Sequence, residues 1–344
     1  MMAREMAEQP QVLQRLLARC SEVHAMVREI VLARPAGIVL LARGTSDNAA
    51  VFGRYLLEAT LGVPVGLAAP SLWTRYDRHA DLRGQLLIAV SQSGETPEIE
   101  RIVRLVQAAG ASTIAITNDA DSPVATAADG SIALHAGVEQ AVPATKTFTA
   151  QLVALALLAG ALTRRDIPAL KDLKLIPALQ NELLSDVEGV RSIAASRLVG
   201  ARAAVVVGSG FLYAIALEAA LKLLETTSLP VLPYSASDLV HGPIAVAAPD
   251  VPVICFAAPG PVRRDVEAAA VAARDRGAPV IWISERLMDT DAVDEHLAIP
   301  GTVAEPVVAL LHAVRAQQLA LEASRAFGVD PDAPRGLQKI TPTR

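Results

Sequence analysis

Apolar positions along this chain fall in short continuous runs, each followed by a glycine turn and then by a helix-period pattern, and the arrangement occurs twice. Ile38 to Glu58 reads IVLLARGTSDNAAVFGRYLLE, and Ala204 to Leu224 reads AVVVGSGFLYAIALEAALKLL. A shift of 166 residues lays Gly44 on Gly210. The same shift lays LLIAVSQSGE on PVICFAAPGP, with Gly94 on Gly260, and the helical runs that follow, Ile99–Ala109 and Val266–Arg276, match to within one residue. The next apolar runs, STIAIT and APVIWIS, follow in step. One offset that serves four elements indicates an internal repeat.

Short apolar strands alternating with helices predict parallel sheets covered on both faces. The expected fold class is therefore α/β, with two tandem doubly wound parallel-sheet domains. The expected boundaries are a helical arm over 1–32, a first domain over 33–180, a second over 190–326 and a tail over 327–344. Pro168 and Pro177 mark the connector, and the Pro-rich, basic tail DPDAPRGLQKITPTR orders only if it docks.

Composition narrows the function classes. Apolar residues make up 52% of the 344 and aromatics only 3%, so large cores must be built from Ala, Val, Leu and Ile. A net charge of −5 argues against a broad nucleic-acid surface but allows a local anion site. Cys20 and Cys255 have no pairing or metal spacing and fit a reducing cytosol. No signal-peptide shape opens the chain, and Leu152–Leu162, its longest apolar stretch, is short for a bilayer. A cytoplasmic protein without nucleic-acid or membrane partners is the expectation.

The two copies differ in their turns. Ser91 to Thr96 reads SQSGET, just past a strand and before Pro97, which suits a first helical turn. Helix-start amides, three hydroxyls and a glycine that lets the backbone approach closely would cradle a phosphate. The corresponding AAPGPV has lost the hydroxyls. One ligand site per chain is expected, with its anion pocket in the first domain and Gly44-Thr45-Ser46 beside it. A capped helix start with no ligand is the plain alternative. Gly208-Ser209-Gly210 lacks the third glycine of a dinucleotide turn, since Tyr213 stands there.

The helix after Gly210 carries Glu218, Lys222 and Glu225 at spacings of four and three, on one face of an otherwise apolar helix. Such charges must be paired or lie in a cleft; an exposed salt-bridged face is the alternative. His241 ends a loop before Gly242-Pro243, with Asp238 placed to orient it. The histidines show no metal-ligand cluster, and no cofactor is expected.

SQSGETPE, VPATKTFTAQL, ALEAALKLLE, ASDLVHGP and PRGLQK, in this order from Gly44 to Lys339, resemble the sugar isomerase (SIS) family. Within it they resemble the isomerase half of glutamine–fructose-6-phosphate aminotransferase. The resemblance implies that Ser46, Ser91, Gln92, Ser93 and Thr96 contact the sugar phosphate, with Gly44, Thr45, Val142 and Glu218 at the sugar. It implies that Glu225 moves a proton between C1 and C2, with Lys222 at the sugar end of the same helix. It further implies that His241 opens the ring from the partner subunit of a homodimer and that Lys339 closes over the sugar. Ala144 stands where the family has a serine, which removes one hydroxyl contact.

Only about 35 residues precede the first strand, so no glutaminase domain is expected. That points to a stand-alone glucosamine-6-phosphate deaminase, giving fructose 6-phosphate and ammonia. The alternatives are a fructosyl-amine 6-phosphate deglycase, an aldose–ketose isomerase or, in another class, a non-catalytic phosphosugar-binding regulator.

Overall fold

The computed structural model describes residues 1–344 apart from His79, Asp289, Thr290, Thr302, Arg335 and 340–344. Its elements run in order α1 (Met2–Leu17), α2 (Cys20–Ile30), β1 (Ile38–Leu41), α3 (Thr45–Leu61), β2 (Val65–Leu67), α4 (Pro70–Thr74), β3 (Leu86–Ser91) and α5 (Pro97–Ala108). Then come β4 (Ser112–Thr117), α6 (Pro123–Ala127), β5 (Gly130–Ala133) and α7 (Lys146–Thr163). The second half continues with α8 (Ile176–Ser185), α9 (Glu188–Ile193), β6 (Ala204–Val207), α10 (Phe211–Thr227), β7 (Val231–Tyr234) and α11 (Ala236–Val240). It ends with β8 (Val253–Phe256), α12 (Arg263–Arg274), β9 (Val280–Ser284), β10 (Glu295–Ala298) and α13 (Glu305–Ala326).

The strands form two parallel five-stranded sheets, in the orders β2-β1-β3-β4-β5 and β7-β6-β8-β9-β10. These are the tandem doubly wound α/β folds that the repeat predicts. The offset is visible in the register: β1 pairs Val39 with Leu87 of β3, and β6 pairs Val205 with Val253 of β8. Strand order reverses between β1 and β3 and again between β6 and β8, and ligands of such sheets bind at the carboxyl ends of those strands. The turns Gly44–Ser46 and Ser91–Thr96 follow β1 and β3.

The chain divides into two compact units. The first comprises Gln11–Glu139 and Lys146–Lys171, with the first sheet; the second comprises Met1–Pro10, Gln140–Thr145 and Asp172–Lys339, with the second sheet. Ten residues of the expected arm and a six-residue loop thus belong to the second unit. Buried polar groups show why. Glu5, fully buried on α1, accepts hydrogen bonds from the amides of Gln140 (2.6 Å) and Ala141 (3.2 Å). Gln9 Nε2 donates to Gln317 Oε1 of α13 (2.9 Å), whose Nε2 donates to the Thr145 carbonyl (3.1 Å). Of the expected tail over 327–344, Arg335 and 340–344 lie outside the described residues.

Aliphatic side chains fill both cores. In the first unit Leu87, Ala89, Ile99, Ile102, Val103 and Ala115 pack between β3, β4 and α5. Trp282, Val253, Cys255, Val266 and Val280 do so in the second. Burial pushes the Cys255 thiol up to about 12, which makes it a packing residue. The apolar stretch Leu152–Leu162 lies within the 18-residue α7, long and apolar enough by composition to cross a membrane, yet 83% of it is buried inside the fold. The helix serves as a core helix. Against it, Gly53 brings α3 so close that a Cβ there would lie 3.0 Å from Leu155 Cδ2.

Candidate functional site

The predicted site residues fall into two sets, one in each unit. In the first unit, Gly44 ends the strand–turn with φ +57° and ψ −133° and caps α3. Nothing lies within 4 Å of where its Cβ would be, so the space over this turn is open. Gly94, at φ +67°, is a glycine for a second reason as well: a Cβ would meet Ser122 Oγ at 2.1 Å. The turn is seated on the start of α6, with the Val124 amide bonded to the Gly94 carbonyl (3.0 Å) and the Asn118 amide to the Gln92 carbonyl (3.0 Å).

The hydroxyls of this turn share one pattern. Ser91 Oγ accepts from the Gly94 amide (3.2 Å) and Ser93 Oγ from the Glu95 amide (3.2 Å). Ser46 Oγ accepts from Gln151 Nε2 (2.8 Å). Each oxygen is thus fixed by a donor, and each O–H hydrogen has no acceptor among the described residues. Thr96 stands at the cap position of α5 but makes no capping bond with its side chain. A turn built only to cap its helix would use that hydroxyl on the helix. Gln92 and Ser93 are half-buried, Ser46 and Ser91 buried. The arrangement presents hydroxyl donors at two helix starts, where the positive end of each helix dipole suits a multiply charged anion.

One charged group of this edge was not legible in the sequence. Arg43 forms a two-pronged pair with the buried Glu98, Nε to Oε2 at 2.9 Å and the second guanidinium nitrogen to Oε1 at 3.0 Å, and Thr74 Oγ1 adds a third bond (3.1 Å). The pair ties the turn after β1 to the first turn of α5, which brings the two predicted halves of the phosphate pocket together. Burial raises the Asp47 pKa, and the Arg43 charge opposes that rise. Glu98 closes the motif SQSGETPE and Arg43 precedes Gly44, so a search for opposite charges flanking the two turns would have flagged them.

In the second unit, α10 carries its three charges on one face. Lys222 Nζ lies 2.5 Å from Glu225 Oε2 and 3.6 Å from Glu218 Oε1. Glu218 and Lys222 are essentially fully buried, while the Glu225 side chain is 20% exposed. The trio is therefore not an exposed salt-bridged face. One ammonium deep in an apolar helix is shared by two carboxylates, and Glu225 is the member that reaches solvent. His241 lies exposed at the end of α11. Asp238 does not orient it: the Asp238 carboxylate accepts from Ser235 Oγ (2.7 Å), whose oxygen caps α11. Val142 is half-buried in the loop that Glu5 and Gln317 fasten, and Lys339, also half-buried, ends the described chain. Ala144 is buried in that loop. Lys146 opens α7 with its ammonium on the Val138 carbonyl (2.8 Å), and Glu139 caps that helix through the Thr147 amide (3.1 Å) and hydroxyl (2.7 Å).

Two doubly wound folds in tandem, one with a donor-lined turn at its topological switch point and one with a carboxylate held on a buried lysine, define an α/β protein whose first unit offers an anion-ready turn. The model of the SIS domain matches residues 32–161 and 197–325, and the chain belongs to the SIS family. Glutamine–fructose-6-phosphate aminotransferase [isomerizing] of Methanothermobacter thermautotrophicus is 33% identical over 342 residues, covering 98% of this chain and 56% of that protein. The chain thus spans about half the length of the curated relatives it matches. Among solved structures, a candidate phosphosugar isomerase from Silicibacter pomeroyi DSS-3 superposes with a TM-score of 0.84 at 30% identity, covering 96% of this chain and 99% of that one. Glucosamine-6-phosphate deaminase from Thermotoga maritima shares the fold, with a TM-score of 0.74 at 20% identity over 96% of this chain and 99% of that one.

Proposed function

We propose that this phosphosugar isomerase of the SIS family acts on glucosamine 6-phosphate in the cytoplasm, converting it with water to fructose 6-phosphate and ammonia. The phosphate is held by Ser46, Ser91, Gln92, Ser93 and Thr96 with the amides of α3 and α5, which fixes the far end of the sugar. Gly44, Thr45 and Val142 lie at the sugar, while Glu218, fully buried, shares the Lys222 ammonium with Glu225. His241 of the partner subunit in a homodimer transfers the proton that opens the ring. Glu225 then takes the C2 proton of the open aldehyde and returns it to C1, leaving an imine at C2. Water adds to that carbon and ammonia departs, giving the ketone. The C1 oxygen carries negative charge in between, and Lys339 is the ammonium for it. Lys222 is already engaged by both carboxylates, and its part is to hold Glu225 in place.

The observation that carries this reading is the Glu218–Lys222–Glu225 trio. A family member that only bound its sugar would have no use for a carboxylate propped at the surface of a greasy helix by a buried ammonium. Glu225→Gln keeps the shape and removes the base. Turnover is expected to fall by about a thousandfold with sugar-phosphate affinity nearly unchanged. Near-normal turnover in that variant overturns the assignment. Ammonia release, measured on glucosamine 6-phosphate beside fructosyl-amine 6-phosphates, decides the substrate. Free amino acid as product selects a deglycase, ketose–aldose exchange without ammonia selects a simple isomerase, and binding without turnover selects a regulator.

A further inference from the structure

Resting on the phosphate reading above, we infer that Gln151 is a positioning residue for the substrate phosphate, acting by making the Ser46 hydroxyl an obligatory donor. Gln151 is 1% exposed on α7, where nearly every other buried side chain past the first turns is aliphatic. A buried amide on such a helix costs about 1–3 kcal/mol unless it is paired. Its Nε2 donates to Ser46 Oγ at 2.8 Å, and its Oε1 is buried with no hydrogen-bond partner. The one hydrogen bond this buried amide makes among the described residues is the one that holds Ser46.

The two orientations of the amide differ in what they ask of Ser46. With Nε2 toward Ser46, one N–H is paired, and the Ser46 oxygen accepts. With the amide reversed, Oε1 would take the Ser46 hydrogen and both N–H donors would go unpaired. The observed orientation places the lone pair of Ser46 on Gln151 and leaves the hydrogen for a ligand. Ser46 is the second residue of α3, where the helix-start amides already favour negative charge. In Ser91 and Ser93 the backbone amides of Gly94 and Glu95 do the same work. Ser46 lies outside that turn, and a side chain from another helix supplies its donor instead. The spacing is fixed mechanically: Gly53, two turns along α3, lets Leu155, one turn along α7, pack directly against the α3 backbone.

The residue lies in VPATKTFTAQL, the motif that also carries Val142 and Ala144. The test is a binding cycle with inorganic phosphate as the probe. Gln151→Met fills the same space without a donor. Phosphate affinity is expected to weaken about tenfold in Gln151→Met, and the same change made in a Ser46→Ala background is expected to cost less than about twofold. A purely structural role would weaken both backgrounds alike, and that result overturns the inference. If Ser46→Ala binds phosphate as the unaltered protein does, the phosphate reading of this turn fails. If Ser46→Ala weakens binding and Gln151→Met does not, the positioning role alone fails. Should Gln151→Met melt below the assay temperature, Gln151→Asn, which keeps an amide but not its reach, carries the same expectations.

Discussion

The turns after β1 and β6 have nearly the same backbone and opposite occupants. Gly44 and Gly210 cap their helices at φ +57°, ψ −133° and φ +60°, ψ −132°. Over Gly44 there is open space, whereas a Cβ on Gly210 would lie 2.5 Å from Glu305 Oε1. The other carboxylate oxygen of Glu305 stands 2.6 Å from the equivalent atom on Gly260. The second copy has therefore filled its anion cradle with a carboxylate from the first residue of α13. Every hydroxyl of the first cradle is apolar in the second: Ser46, Ser91, Ser93 and Thr96 correspond to Leu212, Ala257, Pro259 and Val262. The charge in the second cradle shows what the missing hydroxyls cost. Glu305 receives one amide bond, from Phe211 at 3.3 Å, and burial still raises its pKa. A helix start without side-chain donors does not compensate the loss of water around a carboxylate. In the proposed function, the hydroxyls are what turn the repeated backbone into a binding site.

The largest effect that sharpens this contrast is expected at Gly94. Its left-handed φ and the Ser122 side chain, itself buried and bonded as the cap of α6, leave no room for a methyl group. Gly94→Ala is expected to cost about 3 kcal/mol and to abolish phosphate binding, read by chemical denaturation and by titration with phosphate. Gly260 is not left-handed, and what faces it is the end of a flexible side chain, so Gly260→Ala is expected to leave phosphate binding unchanged. A loss of binding in both variants would end the claim that the anion site belongs to one copy.

Next in size is the pair Gly44→Ala and Gly210→Ala. Equal dihedrals imply equal backbone strain, about 1 kcal/mol each. Only the second methyl meets Glu305, so Gly210→Ala is expected to melt lower than Gly44→Ala. Adding Glu305→Ala is expected to bring the two together. Equal melting temperatures for the single variants would mean that Glu305 swings aside freely and is no occupant of the cradle.

Much of this was legible in the sequence, and the reason is periodicity. A constant offset of apolar runs carried the two sheets, their parallel order and the two glycine turns, because strand burial and turn geometry leave their marks within a few residues. The α10 trio was legible because three charges on an apolar helix have few places to go. What stayed hidden depends on side chains distant in sequence: Arg43 finding Glu98, Gln151 finding Ser46, and Glu5 and Gln317 fastening the Val142 loop. Asp238 illustrates the opposite failure. Nearness in sequence suggested that it orients His241, but Ser235, equally near on the other side, bonds to it while capping α11. Glu305 left no mark in the aligned turns, because it reaches the second cradle from α13, far along the chain from Gly210 and Gly260.

The smallest effect tests that replacement directly. Burial is the dominant cause of the raised Glu305 pKa, with the Phe211 amide opposing it. A carboxyl whose pKa is higher folded than unfolded favours folding in its protonated form. That contribution is complete below the ordinary value of 4.5 and is lost as pH rises through the folded value. Glu305→Gln stays uncharged throughout and keeps the shape. Its melting temperature is therefore expected to match that of the unaltered protein below about pH 4 and to exceed it near neutrality, with the gap opening as the Glu305 carboxyl ionises. Melting curves at several pH values, each taken on both proteins, read the gap. A gap of the opposite sign would mean that the second cradle stabilises its internal carboxylate, and the two copies would then differ in who supplies the anion and not in how well they hold one.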